Sequence, residues 1–259
     1  MKVAAYQAPL ATCIPDEALA LVRHQIEQCE ALGVEILCCP EGMLGGLADY
    51  LRRPTDIAID AEAGGLEPTA RLLASDSVTT ILGFTEVDRR GQLFNSAAVL
   101  SRGAVIGVYR KRHPAINQSV YRAGSEMPVF TVGQLTFGIV ICRDSSFPES
   151  TAVMIARGAN VLFVPTNNGM PASKGGAELV PEARRSDIAT AIRHRVFIVR
   201  ADVAGRTFDL VSHGSSGIVD KYGNILGAAR LLQPDLVVAE IDVDGRSNLA
   251  CSRRRLARE

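Results

Sequence analysis

Short, mostly apolar runs recur along the chain and break into polar turn residues. They are VEILCCPE at 34–41, LTFGIVIC at 135–142, ANVLFVPT at 159–166 and VFIVRADVAG at 196–205. Runs of this length with little polar alternation are the pattern of strands covered on both faces. Helical periods separate them. In DEALALVRHQIEQCEALG, residues Leu19, Val22, Ile26 and Cys29 fall at three- and four-residue steps, with Asp16 as the predicted N-cap and Gly33 as the stop. Residues 66–75, 148–158 and 179–195 are predicted helices, the second with Pro at an early position. Between residues 79 and 111 the pattern changes to three strands joined by DRRGQ and SRGA, which have hairpin-like spacing. GSSGIVDKYGNIL carries a Lys-Tyr-Gly turn, DLVVAEIDVD is a last strand, and the Gly-rich stretch at 167–178 is the longest predicted loop. The expected class is mixed α/β, a large sheet system covered by helices. With no linker or repeat in view, a single domain is expected over 1–259.

Composition removes several functions. Lys plus Arg and Asp plus Glu both number 28, so the net basic balance of a nucleic-acid binder is missing. The basic tail RSNLACSRRRLARE is read as a solvated end. No apolar run reaches membrane-helix length, and the N-terminal stretch meets Pro9 too early for a signal peptide; a cytoplasmic protein is expected. The six cysteines are scattered, and Cys38 and Cys39 would face opposite ways in a strand. His24, His113, His194 and His213 are isolated, so neither a disulfide framework nor a zinc site is expected.

Three residues close apolar runs. Cys142 stands at a strand-to-helix turn, where a helix N-terminus favours a thiolate and free backbone N–H groups can hold an oxyanion. The same cysteine could equally be a small buried hydrophobe. Glu41 ends its run behind Pro40 and before GMLGG; in apolar surroundings its pKa would rise and it could act as base and then acid, or it is a solvated loop carboxylate. Lys111 is a surface lysine of the cluster RKRH, or a fixed cation that lowers the thiol pKa and stabilises a tetrahedral oxyanion.

The ordered set CCPE, YRKRH and ICRDSSFPE, with KVAAYQAPL, FNSAAVLSRGAVIGVYRKRH, GANVLFVPTNN and HGSSGIVDKYGNIL around it, resembles the nitrilase superfamily of carbon–nitrogen hydrolases. The resemblance implies a four-layer α-β-β-α sandwich whose protomers commonly pair, giving an expected homodimer or larger homo-oligomer. It implies Glu41 as general base, Cys142 as nucleophile and Lys111 as electrostatic stabiliser, with the Arg143 backbone N–H completing the oxyanion site. No metal or organic cofactor is implied. The expected substrate is a small amide, with N-carbamoyl amines or nitriles as alternatives on the same triad.

The chain departs from the family in places. Arg143 follows the nucleophile and, pointing inward, would favour an anionic or carbonyl-rich substrate; alternatively it pairs with Asp144 or a nearby carboxylate. The family's second glutamate is missing from the loop after the lysine, where Asn117 or Gln118 stands in. Arg193 and His194 replace a Glu-Asn pair, and Asn167 and Asn168 occupy the place of a pocket aromatic. The substrate-binding candidates are therefore Arg143, Asn117, Asn167 and Asn168. Three rivals stay open: a Cys-His hydrolase with His113 as base, a serine amidase on GSSG at 214–217, and a non-catalytic binding protein.

Overall fold

The computed structural model describes residues 1–10, 15–173 and 176–242; Cys13, Cys251 and the basic tail lie outside them. In chain order the strands and α-helices are β1 (Lys2–Pro9), α1 (Pro15–Leu32), β2 (Ile36–Cys38), α2 (Glu67–Leu72), β3 (Thr79–Val87), β4 (Leu93–Ser101), β5 (Ala104–Arg110), β6 (Val129–Val132), β7 (Leu135–Ile139), α3 (Pro148–Ala156), β8 (Val161–Pro165), β9 (Met170–Pro171), α4 (Leu179–His194), β10 (Phe197–Ala201), β11 (Val203–Arg206), β12 (Leu210–Ser212), β13 (Gly217–Val219), β14 (Ile225–Ala228) and β15 (Asp235–Glu240). Short 3-10 turns, among them Ala48–Tyr50 and Cys142–Ser146, complete the set.

The strands form two sheets. One runs β5-β4-β3-β2-β1-β11-β12-β9 with β15 also on β1, and the other runs β14-β13-β10-β8-β7-β6. Strand alternation builds the layers. Val3 and Ala5 of β1 join Ile36, Cys38, Phe137, Ile139 and Phe163 in one core, which the two sheets share. Ala4 and Tyr6 point the other way, onto Val22, Ile26 and Cys29 of α1 and Ala70 of α2. Cys38 and Cys39 divide between these two cores, as a strand requires. On the far side of the second sheet, α3 contributes Met154 and α4 Ala191. The result is the expected α-β-β-α stack. Burying a Leu, Ile or Phe side chain contributes about 1.5–3 kcal/mol, so these cores are what hold the sheets in register.

Local chemistry sets the connections. The β4–β5 hairpin turns on Arg102 and Gly103, at φ 50° and 76°, the left-handed pair that a two-residue turn needs. Asp88 Oδ1 accepts from the N–H of Arg90 and of Gln92, at 2.9 and 2.8 Å, and so closes the β3–β4 turn. Gly83 is required by a close approach: a Cβ there would run into the Pro40 carbonyl.

Three expectations need correction. Asp16 sits inside the first turn of α1, which starts at Pro15, so it does not cap the helix. Leu19 is only partly buried, while Ala18 and Gln25 share the inner face. The run at 196–205 is two strands rather than one, β10 in the second sheet and β11 in the first. Asp202 makes the break. Its buried carboxylate accepts from the N–H of Asn168, Val203 and Ser215, which carries the chain from one sheet to the other. Among the described residues no helix is long and apolar enough to cross a membrane.

Candidate active site

Glu41, Lys111 and Cys142 each lie just past the end of a strand, following β2, β5 and β7. The first two leave the first sheet and the third leaves the second sheet, so the three meet at the seam between sheets. All three line one cavity of about 170 Å³. That is below the roughly 300–1,000 Å³ of sites for drug-sized ligands and suits a small substrate. A larger open cleft of about 680 Å³, lined by Glu86, Phe94, Arg110 and Arg122 among others, holds none of them. Chemistry, not size, selects the smaller one.

The Glu41 carboxylate is buried and is held by three donors. Lys111 Nζ lies 2.5 Å from Oε1, Asn95 Nδ2 donates to the same oxygen at 2.7 Å, and the Asn167 backbone N–H donates to Oε2 at 3.1 Å. Met43 and Leu44, expected to give Glu41 an apolar setting, turn away into the core beneath α1. Lys111 is equally buried. Burial works against its ammonium, but Glu41 and Cys142 outweigh that and its pKa moves up. The pair therefore carries a fixed cation beside a fixed carboxylate.

Cys142 opens the 3-10 turn with φ 47°, a left-handed conformation uncommon for a side chain of this kind. Neighbouring groups hold it there. Ser145 Oγ donates to the Cys142 carbonyl at 2.7 Å, and Arg200 Nη2 donates to Ser145 Oγ at 3.4 Å. Arg200 is buried and forked onto Asp187 of α4 at 2.8 and 2.5 Å. The thiol is not the ready thiolate that its position suggested. Burial first, then the Glu41 charge, push its pKa up to about 12, against the opposing pull of Lys111 and Arg200.

The structure brings Asn167 and Asn168 to this cavity and leaves the other two substrate-binding candidates outside its lining. Asn168 turns its amide onto Asp202 and Ser215 at 2.9 and 3.2 Å. Arg143 is exposed and donates to the Ala115 carbonyl at 2.9 Å, pairing with neither Asp144 nor another carboxylate. The reason is geometric. Asp144 points inward, accepting from Tyr109 Oη at 2.7 Å and from the His113 N–H at 2.8 Å, and its neighbour in so tight a turn must point out. Asn117 and Gln118 are the exposed corner of a turn closed by the Ser119 N–H on the Ile116 carbonyl. His113 contacts Asp144 Oδ1 through Nδ1 at 2.9 Å and stacks on Phe147 at 3.7 Å. It does not line the cavity.

Sequence reasoning missed Asn95, Asp49 and Arg200. Asn95 had a signal: it is a polar side chain in an apolar strand, on the same face as Ala97 and Val99. Arg200 had the same signal in VFIVRADV. Among the described residues no group of three His, Cys, Asp or Glu is placed to hold a metal ion.

Comparison with known proteins identifies the family. The carbon–nitrogen hydrolase family matches residues 2–249. The chain belongs to that family. It is 27% identical over 246 residues to a nitrilase of Pyrococcus abyssi, covering 94% of this chain and 90% of that one. It is 27% identical over 213 residues to an (R)-stereoselective amidase of a Pseudomonas species, covering 81% and 74%. A solved amidase from Nesterenkonia sp. AN1, carrying acrylamide added at its active-site cysteine, superposes with a TM-score of 0.76 at 22% identity, over 98% of both chains. The protein is thus a hydrolase of C–N bonds with the nitrilase-superfamily fold.

Proposed function

We propose that this carbon–nitrogen hydrolase cleaves a small amide through a thioester on Cys142, within a single domain. The observation that carries the reading is the buried Glu41–Lys111 pair at 2.5 Å in the same cavity wall as the cysteine. A thiol whose pKa is pushed up to about 12 does not ionise unaided near neutral pH, so attack needs a base at hand. Glu41 takes the Sγ proton as sulfur bonds to the amide carbon. The oxyanion forms against the Lys111 ammonium and the Arg143 backbone N–H. As the C–N bond breaks, Glu41 returns that proton to the leaving nitrogen, which departs as ammonia or amine. Water then adds to the thioester while Glu41 accepts its proton. Collapse expels the Cys142 sulfur, which takes the proton back from Glu41, and the carboxylic acid leaves.

Asn95 and the Asn167 N–H steady Glu41 between these roles by occupying both of its oxygens. His113 is engaged by Asp144 and Phe147, which disfavours a Cys-His mechanism. Ser215 and Ser216 are buried partners of the Asp202 junction, with Ser215 Oγ donating to Asp202 Oδ2 and Ser216 Oγ accepting from the Asp202 N–H, so GSSG reads as structure. The proposal includes pairing of protomers into a homodimer, as the family resemblance implies; sedimentation equilibrium tests it. The test of the chemistry is intact-protein mass spectrometry during turnover of trial amides. An acyl adduct on the Cys142 peptide, absent in Cys142→Ala, is expected. Ammonia release that persists in Cys142→Ala would refute the mechanism.

A further inference from the structure

Among the described residues, Asp49 is the third charged residue in the catalytic cavity's lining, after Glu41 and Lys111. Glu41 and Lys111 cancel one another. Asp49 is held differently. Its carboxylate accepts from Ser119 Oγ at 2.9 and 3.0 Å and from the Val120 N–H at 2.8 Å, all neutral donors. These bonds fix its position, and they bring no cation to it from among the described residues. Arg143 donates to the Ala115 carbonyl and not to Asp49. The next residue, Tyr50, is half-exposed and lines the same space. Its hydroxyl pKa is raised by burial first and then by Asp49, Glu41 and Cys142, with Lys111 opposing. The wall around it is aliphatic: Leu47, Pro114, Ala115, Ile116 and Met170.

A fixed anion beside an aromatic ring, sharing one small cavity and its aliphatic wall with the nucleophile, is a receptor for an ammonium carried on a short aliphatic spacer. We infer that the substrate is a short ω-amino amide, whose amide carbon meets Cys142 and whose ammonium meets Asp49. This rests on the amide-hydrolase reading of the same cavity. It also replaces the anionic substrate that Arg143 had suggested. The loop after Lys111 holds Asp49 in place through Ser119 and Val120.

The test is a matched series of primary amides with two to four methylenes. Each is assayed with a terminal ammonium, with the isosteric methyl group, and with a carboxylate, and ammonia release is measured. The ammonium amide is expected to exceed its methyl isostere in kcat/KM by about tenfold, in line with a charge-assisted bond being roughly twice as strong as a neutral one. The carboxylate should be the poorest. In Asp49→Asn the preference should vanish through a raised KM with kcat nearly unchanged, because binding of ground and transition states is lost equally. Asparagine keeps an oxygen for Ser119 and Val120, so the loop stays attached. Equal or better turnover of the methyl isostere by the wild-type protein would overturn the inference, whatever the variant does. So would an Asp49→Asn variant that loses neutral and charged amides alike, since that marks Asp49 as a loop anchor only. If no amide in the series is hydrolysed and none acylates Cys142, the amide-hydrolase reading itself fails.

Discussion

Two buried glutamates, Glu41 and Glu86, sit on adjoining strand ends, each beside a cation, and do different work. Their partners are neighbours in sequence. Asn95 and Lys111 bind Glu41, while Ser96 and Arg110 bind Glu86. Consecutive strand residues face opposite ways, so two adjacent pairs of residues build two carboxylate sites on two sides of one sheet. The Glu86 site is saturated. Arg110 grips both oxygens, through Nη2 at 2.6 Å and Nε at 2.9 Å, and Ser96 Oγ adds a third bond at 2.6 Å. The Arg110 guanidinium also lies 4.3 Å from the centre of the Phe94 ring. The Glu41 site uses lysine, a point charge on one oxygen, and shares its cavity with a thiol. Arginine holds a carboxylate still. Lysine leaves ammonium protons free for a second oxygen, the one that develops on a reacting carbonyl.

This contrast can be broken by experiment. The largest effect is expected from Glu41→Gln, which removes the base: kcat should fall by about 10²–10⁴-fold, read by ammonia release. Glu86→Gln, made for comparison, should keep kcat per folded molecule and lose about 1–2 kcal/mol in urea unfolding, because it weakens charge-assisted hydrogen bonds to a partly exposed guanidinium that keeps Glu62 at 3.2 Å. If Glu86→Gln abolished kcat in a folded protein, the distinction between the two sites would collapse. Next in size is the pH behaviour of Cys142. With its pKa pushed up to about 12, iodoacetamide labelling of the Cys142 peptide in the wild type should keep rising through about pH 10, beyond the usual thiol value near 8.5. A plateau near neutral pH would show a thiolate stabilised by Lys111 instead. Asn95→Ala should lower kcat by roughly tenfold, the worth of one hydrogen bond to a charged group, with little change in KM. The smallest effect is expected of His113→Asn, with activity within a fewfold of wild type. A loss as large as that of Glu41→Gln would restore the Cys-His mechanism.

The sequence-to-structure relation differs by residue. Glu41, Lys111 and Cys142 were candidates because each ends an apolar run, but each signal was weak alone, and the ordered set with its family resemblance singled them out. Asn167 and Asn168 were singled out by the family resemblance, as occupants of the place of a pocket aromatic, and both line the cavity. Arg143 and Asn117 were misjudged because direction within a turn is set by neighbours. Asp144 claims the inside at one turn, and the Ile116–Ser119 hydrogen bond throws the corner outward at the other. The thiol's pKa was misjudged for a further reason: burial outweighs the nearby cations, and burial is a property of packing.

From the chain alone came the alternation of apolar runs and helical periods, and with it the expectation of layered sheets; the ordered motifs, through their family resemblance, supplied the three candidate reacting groups. Periodicity is a local property, and local properties survive translation into sequence. Only the tertiary structure decided which carboxylate shares a cavity with the sulfur, that residues 196–205 change sheets at Asp202, and that Asp49, far from Lys111 and Cys142 along the chain, faces the same space. Those outcomes depend on distances between groups that no spacing rule connects, and on which side chain each tight turn has room to bury.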